Sequence, residues 1–549
     1  SLISAGGAVR PIFDPLTTDA NGVRQPFAGN RIPANRISPI GRAIAATFPS
    51  PTQAAAFHGA PNMAYTGQLP STADQKAAKI DHRFTDWFSA NISYLRYSSL
   101  EPGETWFPDS ISSPEQWRLD RKVDTTQINT TMTLNPTTVL AVRYGYNRFP
   151  NYSFQLSQGF DPASLGFNSG FVRAIPSPTF PRVAFQNFYS GTAMGTNSNA
   201  LVVPNSKNVH GMLSKFVGRH SLKFGADYRL IRVSGADFGN SAGNFTFNDQ
   251  FTRADFLRGD ARSGSDVASL LLGYPADAVG FVPSTLHNFA NYTSAFVHDD
   301  IRINPNLTIN IGLRWERETG LAERNDNLIV GFDRSVLNSI SQASGVPTRG
   351  AVMFAGQNGA RTTVQNPNLN KLSPRLGVAY KLNAKTTIRG GYGIFWAPQT
   401  AQGGVYLPEG FTASTQPLTS LDGGRTPNPA TSLGTVFSAG LDRPVGSALG
   451  DQTGIGKALT IFDPNARSPY VHQFSVDVQR ELPFGIALAV AYVGSRSTDL
   501  TINSAAININ QVEERHFGLG SAGLARAVPN PYFQRGGVAG LAGATVSQA

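Results

Sequence analysis

The sequence contains no cysteine. Thiolate metal sites, cysteine nucleophiles and disulfide bridges are therefore excluded for this chain. It also has no apolar run that approaches the roughly 18 residues of a transmembrane helix. The most apolar stretches, 267–275 and 485–494, are too short for such a helix.

Charge is sparse and evenly spread. Only 15% of the 549 residues are charged, the formal net charge is +10, and the sequence has no run of Lys or Arg. A nucleic-acid-binding surface normally clusters its cations, so no nucleic-acid partner is indicated. Aromatic residues are plentiful, with 35 Phe and 16 Tyr. They argue against disorder and suit strands and membrane interfaces.

Apolar and polar residues alternate in several stretches of about ten residues. In 307–316 the apolar positions are Leu307, Ile309, Ile311, Leu313 and Trp315, and polar residues or glycine lie between them. Side chains of a strand point alternately to its two faces, so each stretch predicts a strand with one apolar and one polar face. The pattern recurs at 140–147, 221–230, 372–382, 387–396, 473–479 and 486–492.

The connections between these strands are of two kinds. Short turns with Asn, Pro or Gly join the strands of each pair, at 135–137, 217–220, 304–306, 383–385 and 482–485. Long connections join the pairs, at roughly 149–205, 232–287, 319–370 and 397–466. Short turns at one end and long loops at the other are typical of an outer-membrane β-barrel. A soluble β-sandwich has no need for that asymmetry, and its strands are nearer five or six residues long. The predicted fold is therefore all-β, a transmembrane antiparallel β-barrel of which about twelve strands are present.

The two predicted faces suit lipid and water. Aromatic residues of the apolar face fall near the loop ends of their strands, where an interface girdle is expected. They are Tyr144, Tyr146, Trp315, Tyr392, Trp396 and Tyr492. The polar face would line a wet lumen, and its charged members are Arg143, Lys223, Asp227, Arg229, Arg314, Glu316, Arg375 and Arg389.

Six segments resemble one known family, in the same order and over nearly the whole chain. They are 12–51, 160–167, 266–275 (DVASLLLGYP), 294–316 (SAFVHDDIRINPNLTINIGLRWE), 370–396 and 528–533. The family is the Oar-like group of TonB-dependent outer-membrane transporters, of the carboxypeptidase-regulatory-like/TonB receptor type, common in Acidobacteria. The resemblance implies a barrel of about 22 strands with a plug inside it. It also implies outer-membrane lipid as surroundings, and TonB-powered uptake of a bulky ligand such as a siderophore, glycan, peptide or cobalamin.

The sequence departs from that family at both ends. No plug-like segment or TonB box precedes Ile12, and the last residues lack a terminal aromatic strand. We therefore expect a fragment: 1–75 as an extracellular loop-like segment, 76–496 as barrel hairpins with long loops, and 497–549 as a further loop segment. The plug, the N-terminal module and the end of the barrel are expected in the parent protein, which would contact the TonB complex through its missing N-terminal region.

No residue pattern predicts catalysis, a cofactor or a metal. The segment 239–243 (GNSAG) matches a nucleophile elbow in letters, but a strand-like run follows it instead of a helix. Asp299 and Asp300 are adjacent in a strand and point to opposite faces, so they cannot act as a pair. The eight histidines are scattered without metal-ligand spacing. The glycines of 390–395 (GGYGIF) are expected to ease strand curvature or crowding in the lumen.

Ligand binding is expected at the loops and the mouth of the lumen. Loop aromatics that either stack on a ligand or pack the loops together are Trp106, Phe107, Trp117, Phe185, Phe188, Tyr189, Phe245, Phe247, Tyr406 and Phe411. The expected function is non-enzymatic: a receptor and transporter barrel. The alternatives are a passive channel or surface adhesion barrel, and a secreted loop-rich β-sandwich that binds carbohydrate.

Overall fold

Twelve antiparallel strands form one continuous sheet in a computed structural model, in which each strand pairs with its neighbours in chain order. The strands are β1 (Thr72–Arg83), β2 (Phe88–Pro102), β3 (Trp117–Asn135), β4 (Thr138–Arg148), β5 (Ala200–Val217), β6 (His220–Asp237), β7 (Leu286–Asn304), β8 (Leu307–Glu318), β9 (Asn368–Asn383), β10 (Thr386–Trp396), β11 (Tyr470–Glu481) and β12 (Ala487–Thr498). Two short strands join at the loop end: Asn151–Gln155 beside β3 and β5, and Ala322–Glu323 beside β7. The predicted count of about twelve strands is confirmed.

The structure describes residues 7–57, 60–104, 106–107, 110–114, 117–186, 193–256, 262–365, 368–398, 409–457, 459–463, 465–500, 506–508, 512–524, 526–535 and 545–547. Within these ranges β1 pairs only with β2 and β12 only with β11, so the described sheet is open. No helix in the same ranges is both long and apolar enough to cross a membrane.

The ladder register confirms the two predicted faces. Tyr144 on β4 lies opposite Ile128 on β3, while its neighbour Arg143 lies opposite Asn129 on β3 and His210 on β5. Following the register across the sheet places all the predicted girdle aromatics on the face of Tyr144. The same registers place all eight predicted lumen charges on the face of Arg143. Apolar side chains of the outward face are exposed because their neighbour is lipid.

The five predicted short turns join strands as expected. In the turn after β11, Phe484 (φ 66°, ψ 21°) and Gly485 (φ 73°) both adopt the left-handed region. Two successive residues of positive φ suit the right-handed twist of a hairpin. Several strands exceed the predicted ten residues, with β3 and β7 at 19 residues each. These strands continue past the length that a membrane requires and reach into the loops.

The long loops contain secondary structure that the alternation did not predict. The described residues contain five short helices: α1 (Pro39–Ala45), α2 (Ser169–Ala174), α3 (Asp266–Leu272), α4 (Ile340–Ser344) and α5 (Gly520–Leu524). A five-stranded sheet has the order Ala413–Thr415, Asp277–Val282, Asn244–Phe247, Arg182–Phe185 and Ala193–Met194. Three strand pairs lie elsewhere: Ile329–Leu337 with Arg349–Phe354, Thr460–Phe462 with Ala506–Asn508, and Ala527–Pro529 with Thr545–Ser547. Short 3-10 helices span Pro15–Thr17, Ala28–Asn30, Ala34–Arg36, Pro162–Leu165, Pro429–Thr431, Gly450–Gln452, Pro483–Gly485 and Glu514–Leu519.

Five separate loop segments share one hydrophobic core, and we call this assembly the loop cap. Its buried members come from the N-terminal segment, the β2–β3 loop and the connections 149–199, 238–285 and 397–469. Phe171 and Phe437, far apart in sequence, have ring centroids 5.0 Å apart. A second, smaller core joins the connection 319–367 to residues 459–462. The loops therefore pack as folded units instead of hanging independently.

Candidate functional site

Ion pairs fix the charges of the lumen face. Arg229 donates to Asp227 at 2.8 Å on β6. On the adjoining strands β7 and β8, Arg314 donates to Glu316 at 2.6 Å and to the hydroxyl of Tyr292 at 2.9 Å, and that hydroxyl donates to Glu316 at 2.6 Å. Each cation is held by a carboxylate at hydrogen-bonding distance, so this part of the wall is polar and locally close to neutral.

Next to this network the lumen wall has a cationic recess of about 220 Å³. Lys223, His298, Arg314 and Arg375 line it around Gly312. A Cβ on Gly312 would lie 2.8 Å from Nδ1 of His298, so glycine leaves the floor of the recess open. Lys223 is 3.4 Å from Asp300 and Arg314 is paired with Glu316, whereas Arg375 makes no ion pair with any described residue. Arg375 instead lies 5.1 Å from the ring centroid of Phe395. The recess therefore suits an anionic group on a ligand that occupies the lumen.

The glycines of 390–395 lie on β10, a strand of the same wall. A Cβ on Gly393 would lie 3.1 Å from the ring of Phe395, so this glycine relieves crowding in the lumen. A Cβ on Gly390 or Gly391 would meet no atom closer than 3.6 Å. The predicted relief of crowding is therefore confirmed at Gly393 alone.

The adjacent carboxylates Asp299 and Asp300 point to opposite faces, as predicted. Asp299 lies on the outward face at the turn end, where His220 is 2.6 Å from it. Asp300 faces the lumen and accepts from Asn310, with His298 at 2.9 Å. The described residues contain no group of His, Asp and Glu that could hold a metal ion.

A cleft of about 740 Å³ opens between the barrel mouth and the loop cap. Its lining combines aromatic and polar side chains: Glu104, Trp106, Trp117, Arg182, Thr196 and Asn197. Trp106 is 54% exposed, which is high for so large an apolar side chain. Tryptophan beside Arg and amide groups suits a ligand with both a flat or ring-shaped surface and polar substituents.

The other predicted loop aromatics are divided between packing and the cleft. Phe185, Phe245 and Phe247 are buried in the loop-cap core, and Phe411 packs against the second core. Phe107 belongs to the loop-cap core and also borders the cleft. Phe188, Tyr189 and Tyr406 lie outside the described residues. For most of the predicted aromatics that are described, the packing interpretation is correct.

Two buried arginines fasten the N-terminal segment to the loop cap. Arg24 is 1% exposed and donates to the backbone oxygens of Gln250 at 2.6 Å and Arg425 at 2.7 Å. Burial, with Arg253 nearby, lowers the pKa of Arg24 to about 10. Arg10 is 2% exposed and donates to the backbone oxygens of Ser263 and Gly264. The two arginines were not predicted as buried, because an isolated arginine in a sequence normally indicates solvent exposure.

The GNSAG segment does not form a nucleophile elbow. Ser241 is fully buried, and the residues after it form the strand Asn244–Phe247 instead of a helix. An elbow requires an exposed hydroxyl on a turn between a strand and a helix. The match is therefore accidental.

Comparison with protein families matches residues 3–547 to the outer membrane beta barrel domain. The sequence matches none of the curated proteins. Solved structures of similar fold include the outer membrane transporter YddB of Escherichia coli, with 11% identity and a TM-score of 0.44 over 78% of this chain and 40% of that one. The ferripyoverdine receptor of Pseudomonas aeruginosa has 10% identity and a TM-score of 0.38 over 78% and 42%. The alcaligin receptor FauA of Bordetella pertussis has 10% identity and a TM-score of 0.33 over 80% and 56%.

The chain thus spans 40 to 56% of the length of these three solved proteins, and the likeness to them concerns the fold alone. The Oar-like subtype stays a prediction. The match to the family, by contrast, covers nearly the whole sequence. The chain belongs to the outer membrane beta barrel domain family, and its location is the outer membrane.

Proposed function

We propose that this chain is the barrel part of a receptor that captures a bulky ligand at its loops and takes it up with energy from the TonB complex. The observation that carries the proposal is the arrangement of the sheet and the loops. Twelve strands of an outer-membrane barrel have short turns at one end and a folded loop cap with an open cleft at the other. The sequence resemblance to Oar-like transporters supports the coupling to TonB, which would act through a plug and an N-terminal region of the whole protein.

The proposed first contact with the ligand is the cleft at Trp106 and Trp117. Its volume of about 740 Å³ suits a molecule larger than a simple ion or sugar. The cationic recess at Gly312 lies deeper, on the lumen wall, and is a proposed second contact for an anionic group. This order of contacts runs from the loops towards the periplasm.

A passive channel or an adhesion barrel would share this architecture and is the second candidate. A secreted β-sandwich is disfavoured, because the family is one of outer-membrane barrels and one ladder of twelve strands replaces two packed sheets.

Uptake by cells that carry the whole protein distinguishes the candidates. Labelled ferric siderophore, oligosaccharide, peptide and cobalamin are offered with and without a protonophore. We expect one probe to bind in both conditions and to accumulate only while the proton gradient is intact. Accumulation that ignores the protonophore, together with steady conductance in a planar bilayer, would favour a passive channel. Cell attachment without accumulation would favour adhesion.

A matched pair of tryptophan variants tests the cleft. Trp106→Ala removes an aromatic that lines the cleft, whereas Trp87→Ala removes one of similar exposure, 52%, in the turn at the opposite end of the barrel. Trp106→Ala should lose roughly 1–3 kcal/mol of stacking, which corresponds to a fall in probe affinity of about fivefold to 150-fold. Equal effects of the two substitutions would argue against the cleft as the binding site.

A further inference from the structure

Strands β9 and β10 separate at their loop ends, and we call the gap between 368–374 and 394–396 the fork. The ladder of the two strands runs from their turn to the pair Arg375–Gly393 and stops there. Beyond this pair β9 stays paired with β8 as far as Asn368, and β10 stays paired with β11 as far as Trp396. Between the other neighbours among the twelve described strands, the ladder continues to the loop end of at least one strand. The fork is therefore a local feature of the wall.

Pro374 explains where the ladder stops. Backbone groups of successive strand residues point to opposite neighbours, and the ladder with β8 is unbroken at the pair Leu313–Pro374 and on either side of it. The backbone nitrogen of Pro374 therefore faces β10. Proline has no amide hydrogen, so the next pairing step between β9 and β10 lacks its donor. The separation of the two strands follows from this one residue.

The fork opens inside the membrane, on the loop side. Gly393 lies seven residues beyond Thr386, where β10 begins, and Trp396 lies ten residues beyond it. A tilted strand crosses the hydrocarbon core in about 9–11 residues. The part of β10 that has left β9, 394–396, spans roughly 10 Å along the strand. The fork thus connects the lumen with the leaflet next to the loops.

One side chain covers the fork on the outward face. The indole Nε1 of Trp396 donates to the backbone oxygen of Leu372 at 3.0 Å, across the gap from β10 to β9. The ring of Tyr470 lies beside the indole, with the centroids 4.6 Å apart. A change of rotamer is enough to break a hydrogen bond made by a side chain, and such changes are fast. Trp396 can therefore uncover the fork while every ladder stays intact.

On the lumen side the fork borders a recess of about 540 Å³, a volume within the range of small-molecule sites. Its lining includes Gly391, Gly393, Phe395, Ser475, Ser495 and Arg375. Arg375 belongs to the last pair before the fork, and its guanidinium carbon lies 5.1 Å from the ring centroid of Phe395 on β10. Arg375 makes no ion pair with any described residue. A cation without a carboxylate partner therefore lies at the inner end of the fork.

We propose that the fork is a lateral opening that binds a single-chain anionic amphiphile, a long-chain fatty acid. The carboxylate would accept hydrogen bonds from Arg375, whose planar guanidinium matches two carboxylate oxygens. The hydrocarbon chain would pass between β9 and β10 under Trp396 into the lipid. An opening of roughly 10 Å along the strands suits one such chain better than a lipid with two. This inference stands apart from the proposed uptake, since binding at the fork needs neither a plug nor the TonB complex.

The test uses the whole protein in phosphatidylcholine nanodiscs with a palmitate that carries a photoactivatable diazirine in the middle of its chain. Mass spectrometry locates the labelled residues, and unlabelled palmitate and hexadecanol serve as competitors. Pro374→Val supplies the missing amide and should extend the ladder. Its control is Pro204→Val on β5, because the strand Asn151–Gln155 pairs with β5 beyond Pro204 and no gap follows. Arg375→Gln removes the partner of the carboxylate, and Arg389→Gln removes a charge from the same lumen face.

We expect saturable labelling of 372–374 and 394–396, for which palmitate competes and hexadecanol does not. Pro374→Val should reduce the labelling severalfold, and Arg375→Gln should lower the affinity by roughly 10- to 150-fold. The two control variants should label like the wild type. Labelling spread evenly over the outward face of the sheet, or equal competition by hexadecanol, would overturn the proposal.

Two further variants guard against misfolding. Pro374→Cys combined with Ile394→Cys allows a disulfide across the fork, in a chain that has no cysteine of its own. Labelling should fall on oxidation and return on reduction, and labelling that persists in the cross-linked protein would count against entry through the fork. Arg375→Lys keeps the charge and should keep most of the labelling. A folded Arg375→Lys that labels as poorly as Arg375→Gln would argue against a cation as the partner of the head group.

Discussion

Lys371 on β9 donates a hydrogen bond to Glu318 at the end of β8 at 2.7 Å, and both side chains are only 2% exposed. A buried ion pair that loses one partner leaves an uncompensated charge, which costs about 3–5 kcal/mol. We predict that Glu318→Gln or Lys371→Met alone lowers the free energy of unfolding of the whole protein by that amount. The double variant should lose much less. Denaturant unfolding of all three variants in lipid vesicles measures the coupling.

The exposed pair of Lys79 and Asp81 on β1 is the control for this comparison of single and double variants. Its side chains are 59% and 61% exposed at a separation of 2.8 Å. Exposed pairs contribute about 0–1 kcal/mol, so Lys79→Gln should change the unfolding free energy little. A coupling energy for Lys371 and Glu318 no larger than for this pair would contradict the prediction.

Arg24 should be essential for the attachment of the N-terminal segment. Its guanidinium satisfies backbone oxygens of Gln250, Arg253, Gly424 and Arg425 inside the loop cap. Arg24→Gln leaves several buried carbonyl groups unpaired, at about 1–3 kcal/mol for each group that water cannot reach. Hydrogen exchange and limited proteolysis should show faster opening of residues 7–30 and 418–430, with β1–β12 unchanged. Arg31→Gln, at an exposed position of the same segment, should have no such effect.

Gly41 permits helix α1 to lie against α3. A Cβ at this position would be 2.2 Å from the backbone oxygen of Leu270, which cannot move aside as a side chain could. Gly41→Ala should therefore destabilise the loop cap by about 1–3 kcal/mol through overpacking. The matched control is Gly434→Ala, since a Cβ there meets no atom within 4 Å. A thermal-melting comparison in which both variants unfold alike would show that the contact of the two helices matters little.

Asp14 should make the N-terminal segment sensitive to acid. Burial raises the pKa of Asp14, but hydrogen bonds from Arg36, at 2.6 Å and 2.8 Å, and from the Leu16 amide outweigh it and hold the pKa below its usual range. For a carboxyl group whose pKa is lower in the folded state, the stabilisation is present above the ordinary pKa and is lost as the pH falls through the lowered one. Pepsin cleavage within 7–57 should therefore rise below about pH 4.

Arg36→Gln removes the main partner of Asp14 and should raise the pKa of Asp14 towards its usual range. With the pKa of Asp14 close to its value in the unfolded chain, this carboxyl group should no longer make stability depend on pH, so cleavage within 7–57 should be faster than in the wild type at neutral pH and should rise less on acidification. Arg31→Gln keeps the pair and should leave the pH profile in place. Identical profiles for Arg36→Gln and the wild type would show that another group governs the opening.

The sheet could be predicted because its rules are local. The period-two alternation around Leu313 and Arg314 identifies a strand and its two faces from ten neighbouring residues, and the turn at 304–306 identifies its partner. Lipid on one side and water on the other demand that every strand repeat this pattern, so one correct example predicts the others. Only the strand lengths were wrong, because strands such as β3 and β7 extend beyond the membrane, where lipid no longer shapes their composition.

The candidate sites were less predictable. Trp106 and Trp117 are two of ten predicted loop aromatics, and no local pattern separates them from Phe245 or Phe247, which are buried. The recess at Gly312 was not predicted from the sequence either. Its floor depends on the register that brings Gly312 between His298 and Arg375 on neighbouring strands.

The sequence by itself determined the strands, their two faces, the turns and the family, since each of these depends on residues that are close together in the chain. Tertiary structure decided the rest. Contacts between loop segments that are hundreds of residues apart, such as that of Phe171 with Phe437, decide which phenylalanines pack and which aromatics stay exposed. Contacts of the same kind explain why Arg24 is buried. Packing of this kind is non-directional and has no period, so no local pattern records it.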